Sequence, residues 1–127
     1  MTKFKRWFSV VLWCGLIFIG SSLPSAQVSS NWLVDFVAHK LIHLVEYGVL
    51  FVLLHRALRI SCPKISVLGL LGLSLGLAVA YGVLDEYHQT FLPGRQGRWQ
   101  DVVVDGIGAL GAAVVGYFRT SRKRSAD

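Results

Sequence analysis

A chain of 127 residues holds one domain's worth of protein, and a hydrophobic fraction of 54% with a mean hydropathy of +0.54 excludes an ordinary soluble domain. The net charge of +6 does not make a nucleic-acid surface, because the basic residues fall in short clusters between apolar runs instead of along one stripe. Cys14 and Cys62 stand in a span and in a loop on its inner side, so no disulfide framework is expected.

Apolar runs near the ~20 residues that cross a bilayer occur at 7–23, 36–55, 65–84 and 102–118. They predict an all-α, integral-membrane four-helix bundle, with residues 1–127 forming a single transmembrane domain. Ten of the thirteen basic residues fall on one side if the spans alternate: Lys3, Lys5 and Arg6, then Arg56, Arg59 and Lys64, then Arg119, Arg122, Lys123 and Arg124. By the positive-inside rule both termini and the 56–64 loop are expected in the cytoplasm, with 24–35 and 85–101 outside.

The first run follows a basic start and precedes Pro24-Ser25-Ala26, so a cleaved signal peptide competes with a retained helix. Cleavage after Ala26 would put Pro24 where a small residue is wanted, and a retained helix is expected. Ser21, Ser22 and Pro24 end it at the outer face. Trp32 and Phe36, flanking Asp35, have the composition of an interfacial anchor.

The second span is apolar in its inner half and polar in its outer half. His39, His43 and Glu46 recur at i, i+4 and i+7 and share one face, with Tyr47 at its edge. At ~1.5 Å per residue, Glu46 sits roughly 15 Å below a helix start near Phe36, about the bilayer midplane, where a carboxylate must face the bundle interior. It is expected to be the most sensitive polar position of this span. Lys40 points away from Glu46 and is expected to extend toward the outer headgroups, while His55 belongs to the inner end.

The third span carries no charge for twenty residues, and Gly69, Gly72 and Gly76 predict a thin face against which a neighbouring backbone packs. It runs into Asp85, Glu86 and Gln89; a helix continuing to Gln89 would put Tyr81, Asp85 and Gln89 on one face. Phe91, Leu92 and Pro93 end it, Pro93-Gly94 is a turn, and Arg95 and Arg98 stand in the turn and at its exit, followed by the anchor Trp99. Asp101 suits the N-terminus of the fourth span, where free amides favour negative charge. Asp105 lies one turn deeper on the same face, ahead of Gly108 and Ala112, so that face is expected to pack tightly inward.

The outer half of the bundle therefore gathers His39, His43, Glu46, Tyr47, Asp85, Glu86, Gln89, Arg95, Arg98, Asp101 and Asp105. A salt-bridge network kept only for stability is the bland explanation. It competes poorly, because replacing buried ion pairs by apolar groups is often neutral or better. A functional site is the stronger reading.

Three motifs carry a resemblance to a known family. His-Lys-x-x-His-x-x-x-Tyr spans His39, Lys40, His43 and Tyr47; Asp-Glu-x-x-Gln-x-Phe-x-Pro-Gly-Arg spans Asp85, Glu86, Gln89, Phe91, Pro93, Gly94 and Arg95; Asp101, Asp105 and Gly108 follow in the fourth span. Together with the Ser-Ser-x-Pro end of the first span, they resemble the VanZ-like membrane proteins over nearly the whole chain. Two positions depart from that pattern: His39 stands where the family usually has Asp, and Asp105 where it usually has Asn. The resemblance implies a multi-pass protein of the bacterial cytoplasmic (inner) membrane and a cell-envelope role, the founding member being associated with resistance to the lipoglycopeptide teicoplanin. It implies no reaction.

Two function classes follow. In the first, the protein binds an anionic lipid or a lipid-linked cell-wall ligand at the outer leaflet: Arg95 and Arg98 clamp a phosphate or carboxylate, with Gln89, Lys40 and Tyr47 as further contacts. His39, Pro93, Gly94, Asp101, Asp105 and Gly108 support the site. In the second, an intramembrane enzyme acts on a lipid-linked substrate through His43 and Glu46 as an acid/base pair, with Asp85 and Glu86 as further candidates. A metal set of His39, His43, Glu46 and one more carboxylate is weak, because His-x-x-x-His here lacks the glutamate of a zincin helix, so neither metal nor cofactor is expected. Proton or cation passage through His43, Glu46 and Asp105 would need polar residues in the inner half of some span, and none is there. The expected partner is a membrane lipid or lipid-linked ligand, with no nucleic acid; no oligomeric state follows.

Overall fold

A computed structural model describes residues 2–23, 29–93 and 97–124, with side chains described as far as Phe118. Four helices make up the fold, α1 (Lys3–Ser22), α2 (Trp32–Ser61), α3 (Val67–Gln89) and α4 (Trp99–Arg124), and no strand occurs among the described residues. Each contains a stretch long and apolar enough to cross a membrane. Large apolar side chains such as Val11, Leu16, Leu41, Leu68, Leu84 and Leu110 point outward on all four helices. In water that surface would aggregate; in a bilayer it is the solvated face.

α2 is the longest helix at 30 residues, and it starts earlier than the apolar run at 36–55 suggests. The cause is Asn31, whose side chain accepts hydrogen bonds from the Leu33 and Val34 amides at 3.0 and 3.4 Å, with Asp35 following in the first turn. The Trp32 and Phe36 rings, 6.0 Å apart, are therefore on helix and not on linker. α3 is capped by Ser66, which accepts from the Gly69 amide at 3.1 Å, and it continues through Asp85 and Glu86 to Gln89.

α2 occupies the centre and touches the other three helices, most extensively α4. Tyr47, Leu50, Phe51, Leu54 and Ala57 of α2 form the spine of the core, meeting Val10 and Ile17 of α1, Ala78 of α3, and Ala109 and Ala113 of α4. Small residues decide how close α2 and α4 come. A Cβ added at Gly108 would overlap the Leu44 carbonyl, and one at Gly48 would lie 3.3 Å from the Gly108 oxygen. The two backbones are in direct contact at that crossing.

The expectation for the third span's glycines is corrected. Gly72 and Gly76 are exposed with nothing within 4 Å of a Cβ position, and a Cβ at Gly69 would meet only Ile65 and Ser66 of its own helix start. The close seam runs along Gly48 and Gly108. Two small residues four apart allow close approach, but which helix uses them depends on the neighbour across the gap.

α1 is held by aromatic donors. Trp7 Nε1 donates to Ser61 Oγ at 2.9 Å, Trp13 Nε1 to the Glu46 carbonyl at 2.9 Å, and the Tyr81 hydroxyl to the Cys14 carbonyl at 2.6 Å. Arg6 Nη1 donates to the Arg56 carbonyl at 3.1 Å, so the basic start of α1 and the basic end of α2 share one end of the bundle. Cys14 and Cys62 are free thiols.

Candidate functional site

The end of the bundle away from those basic clusters holds the buried polar groups. Asp85, Glu86, Gln89 and Asp105 are each less than 6% exposed, which is costly inside an apolar bundle unless the groups find partners. Asp85 accepts from the Ser21 hydroxyl of α1 at 2.6 Å and from Gln89 Nε2 at 3.2 Å. Glu86 accepts from the Arg98 backbone amide at 2.8 Å, and its other oxygen stands 3.5 Å from Gln89 Nε2. Gln89 thus bridges two carboxylates that would otherwise repel. The returning chain passes close over α3, since a Cβ at Gly97 would overlap the Glu86 carbonyl.

Asp105 has no exposed surface at all. Its Oδ1 accepts from His43 Nδ1 of α2 at 3.0 Å, while Oδ2 has no hydrogen-bond partner among the described residues. Gly82 of α3 makes room for it, because a Cβ there would stand 3.1 Å from Oδ2 and 3.2 Å from a ring carbon of Tyr47. Tyr47 is also fully buried, and its hydroxyl too has no hydrogen-bond partner among the described residues. Leaving one buried polar atom unsatisfied costs about 1–3 kcal/mol, and here there are two, on side chains that meet over one glycine. His43, Glu86 and Asp105, from three different helices, each bring a donor atom within 4.8 Å of the others.

Around this centre the residues sort clearly. Lys40 does not extend to the headgroups as its position in sequence suggests: it pairs with Asp101 in the first turn of α4 and lies 5.3 Å over the Phe36 ring. That partner sits 61 positions away across the bundle. His39 turns back along its own helix, with Nδ1 2.8 Å from the Asp35 carbonyl, and stays apart from His43. Glu46 has no side-chain hydrogen bond or ion pair among the described residues, and its backbone carbonyl accepts from Trp13. Its charge interacts with His43, which is hydrogen-bonded to Asp105, and the cluster of possible metal donors is His43, Glu86 and Asp105 in place of His39, His43 and Glu46. Gly108 sets the α2–α4 distance just below the cluster. Arg98 has an exposed side chain and contributes its amide to Glu86, and Pro93 is exposed beyond the end of α3. Gly94 and Arg95 lie outside the described residues.

Three participants did not stand out as site residues in the sequence. Ser21 holds Asp85, and Ser22 Oγ lies 3.2 Å from His88 Nε2, whose ring is 4.5 Å from that of Phe18. Ser21 and Ser22 appear in the sequence as a helix end; their pairing with α3 needed the register between α1 and α3.

No curated protein and no solved structure matches the chain. A family model does, from residue 6 to residue 119, and it covers the four apolar stretches with the whole polar cluster between them. The chain belongs to the family described as VanZ/LLP1 and is a multi-pass membrane-type protein of that family.

Proposed function

We propose that this VanZ-family protein sits in the bacterial inner membrane with both ends in the cytoplasm, and that the outer half of its bundle receives the polar head of an anionic lipid or a lipid-linked cell-wall ligand. The observation that carries this reading is the convergence of buried Asp85, Glu86, Gln89 and Asp105 with half-buried His43 at one end of a bundle whose other faces are apolar. Lys40 and Arg98 stand near enough at its rim for their charges to interact, and Arg95 falls in the same loop of the sequence. Guanidinium forks suit phosphate or carboxylate, and acceptors below suit the hydroxyls and amides of a headgroup. An effect on lipoglycopeptide susceptibility follows if that ligand is a cell-wall precursor.

The orientation is supported by the basic ends of α1 and α2 lying together. Reporter fusions after Asp127 and within residues 94–98 are expected to read inside and outside, respectively; the reverse pattern removes the outer-leaflet reading.

Mass spectrometry of the purified protein tests the ligand. The wild type is expected to retain an anionic lipid, and Arg95→Ala to hold it about 10- to 150-fold more weakly, the loss of one charged hydrogen bond worth ~1.5–3 kcal/mol. Equal retention by a folded Arg95→Ala protein defeats the clamp.

A second reading has one observation in its favour. Half-buried His43 and fully buried Asp105, 3.0 Å apart, form a carboxylate-oriented imidazole of the kind that moves protons in acid/base catalysis, so turnover of a lipid-linked substrate is the alternative.

A further inference from the structure

We propose that His43, Glu86 and Asp105 bind a single divalent transition-metal ion, with the Tyr47 ring beside it. The inference is independent of lipid binding and stands on the geometry of three helices. α2, α3 and α4 each supply one donor, and the three atoms lie within 4.8 Å of one another. Metal–donor distances of ~2.0–2.2 Å place opposite donors about 4 Å apart and adjacent ones about 3 Å apart, so the set closes with side-chain movements of the order of 1 Å.

A second observation points to a ligand here. Asp105 has no exposed surface, yet its Oδ2 has no hydrogen-bond partner among the described residues, and neither has the hydroxyl of Tyr47, which is also without exposed surface. Asp105 Oδ2 and the edge of the Tyr47 ring both face Gly82, where a Cβ would stand 3.1 and 3.2 Å from them. A lone water would satisfy hydrogen bonds but leave the carboxylate charges uncompensated. Lys40 is paired with Asp101, so its single charge is shared between that carboxylate and the Glu86 and Asp105 carboxylates. Two carboxylates and a neutral imidazole around a dication form a neutral unit, which suits a low-dielectric bundle.

The donor chemistry narrows the ion. An imidazole with two carboxylates favours a first-row ion such as Mn²⁺ or Zn²⁺ over Mg²⁺ or Ca²⁺, which prefer all-oxygen shells. On binding through Nδ1, the ion takes the place of the proton between His43 and Asp105; the imidazole keeps one proton, on Nε2, so it stays neutral, and a proton leaves to solvent only where the pair started as imidazolium and carboxylate.

The test uses the full chain in nanodiscs, stripped with EDTA, equilibrated with Zn²⁺ or Mn²⁺ alone, desalted, and analysed for metal by mass spectrometry. One ion per wild-type chain is expected for at least one of the two metals, removable by EDTA and raising the melting temperature. Glu86→Gln, His43→Gln and Asp105→Asn should each weaken binding at least tenfold, while a Cys14→Ser/Cys62→Ser variant should bind as the wild type does. X-ray absorption on the zinc-loaded wild type covers the case in which a variant does not fold, and must show nitrogen and oxygen donors only. Less than a tenth of an ion per wild-type chain with both metals, unchanged binding in all three folded variants, or sulfur ligation would each overturn the site. Lipid measured in the same samples fails or succeeds separately.

Discussion

Gly108→Leu is expected to abolish the accumulation of folded protein. Even a methyl group at this position would overlap the Leu44 carbonyl of α2, and backbone cannot swing aside as a flexible side chain does. Overpacking a formed core costs about 1–3 kcal/mol, occasionally more. Here the contact is backbone on backbone in the most extensive helix pairing of the fold, so Gly108→Ala should already fall in that range and Gly108→Leu beyond it. The comparison that gives the result meaning is Gly72→Leu or Gly76→Leu in α3, at positions where nothing stands within 4 Å of a Cβ. Those variants should accumulate normally. Size-exclusion chromatography in detergent after a heat ramp reads all of them, and a Gly108→Leu protein as stable as the Gly72→Leu protein would mean that α2 and α4 do not cross at Gly48 and Gly108.

These glycines also show what one sequence can and cannot disclose. Hydropathy along the chain was enough to find four apolar stretches, because crossing a bilayer demands ~20 apolar residues in a row whatever the neighbours are. The early start of α2 escaped it, since that start depends on one side chain: Asn31 capping two amides. Periodicity correctly put His43 on a polar face of α2, but not opposite Asp105, because rotation and register between helices are properties of the pair. The same gap separates Lys40 from Asp101 and Ser21 from Asp85. Glu46 stands out in the sequence by its depth and by the face it shares with His39 and His43. The fully buried carboxylate among the described residues is Asp105, on another helix, with one oxygen held by His43.

Removing Asp105 should therefore be the most damaging change among the polar positions. Asp105→Ala leaves His43 without its partner and opens a void beside Tyr47 and Gly82, and breaking a buried pair from one side costs about 3–5 kcal/mol. Asp105→Asn keeps a hydrogen-bonding group of nearly the same shape and should cost only about 1 kcal/mol. The informative variant is the double replacement His43→Leu/Asp105→Leu. If the pair exists only to hold helices together, apolar residues of similar size can replace it, and both stability and whatever ligand the protein retains should return toward wild type. If the pair is the centre of a site, stability should recover over Asp105→Ala while metal and lipid retention stay lost. Thermal denaturation and bound-ligand analysis of the same four proteins separate the two outcomes, and a double variant that keeps its ligand would return His43 and Asp105 to a purely structural role.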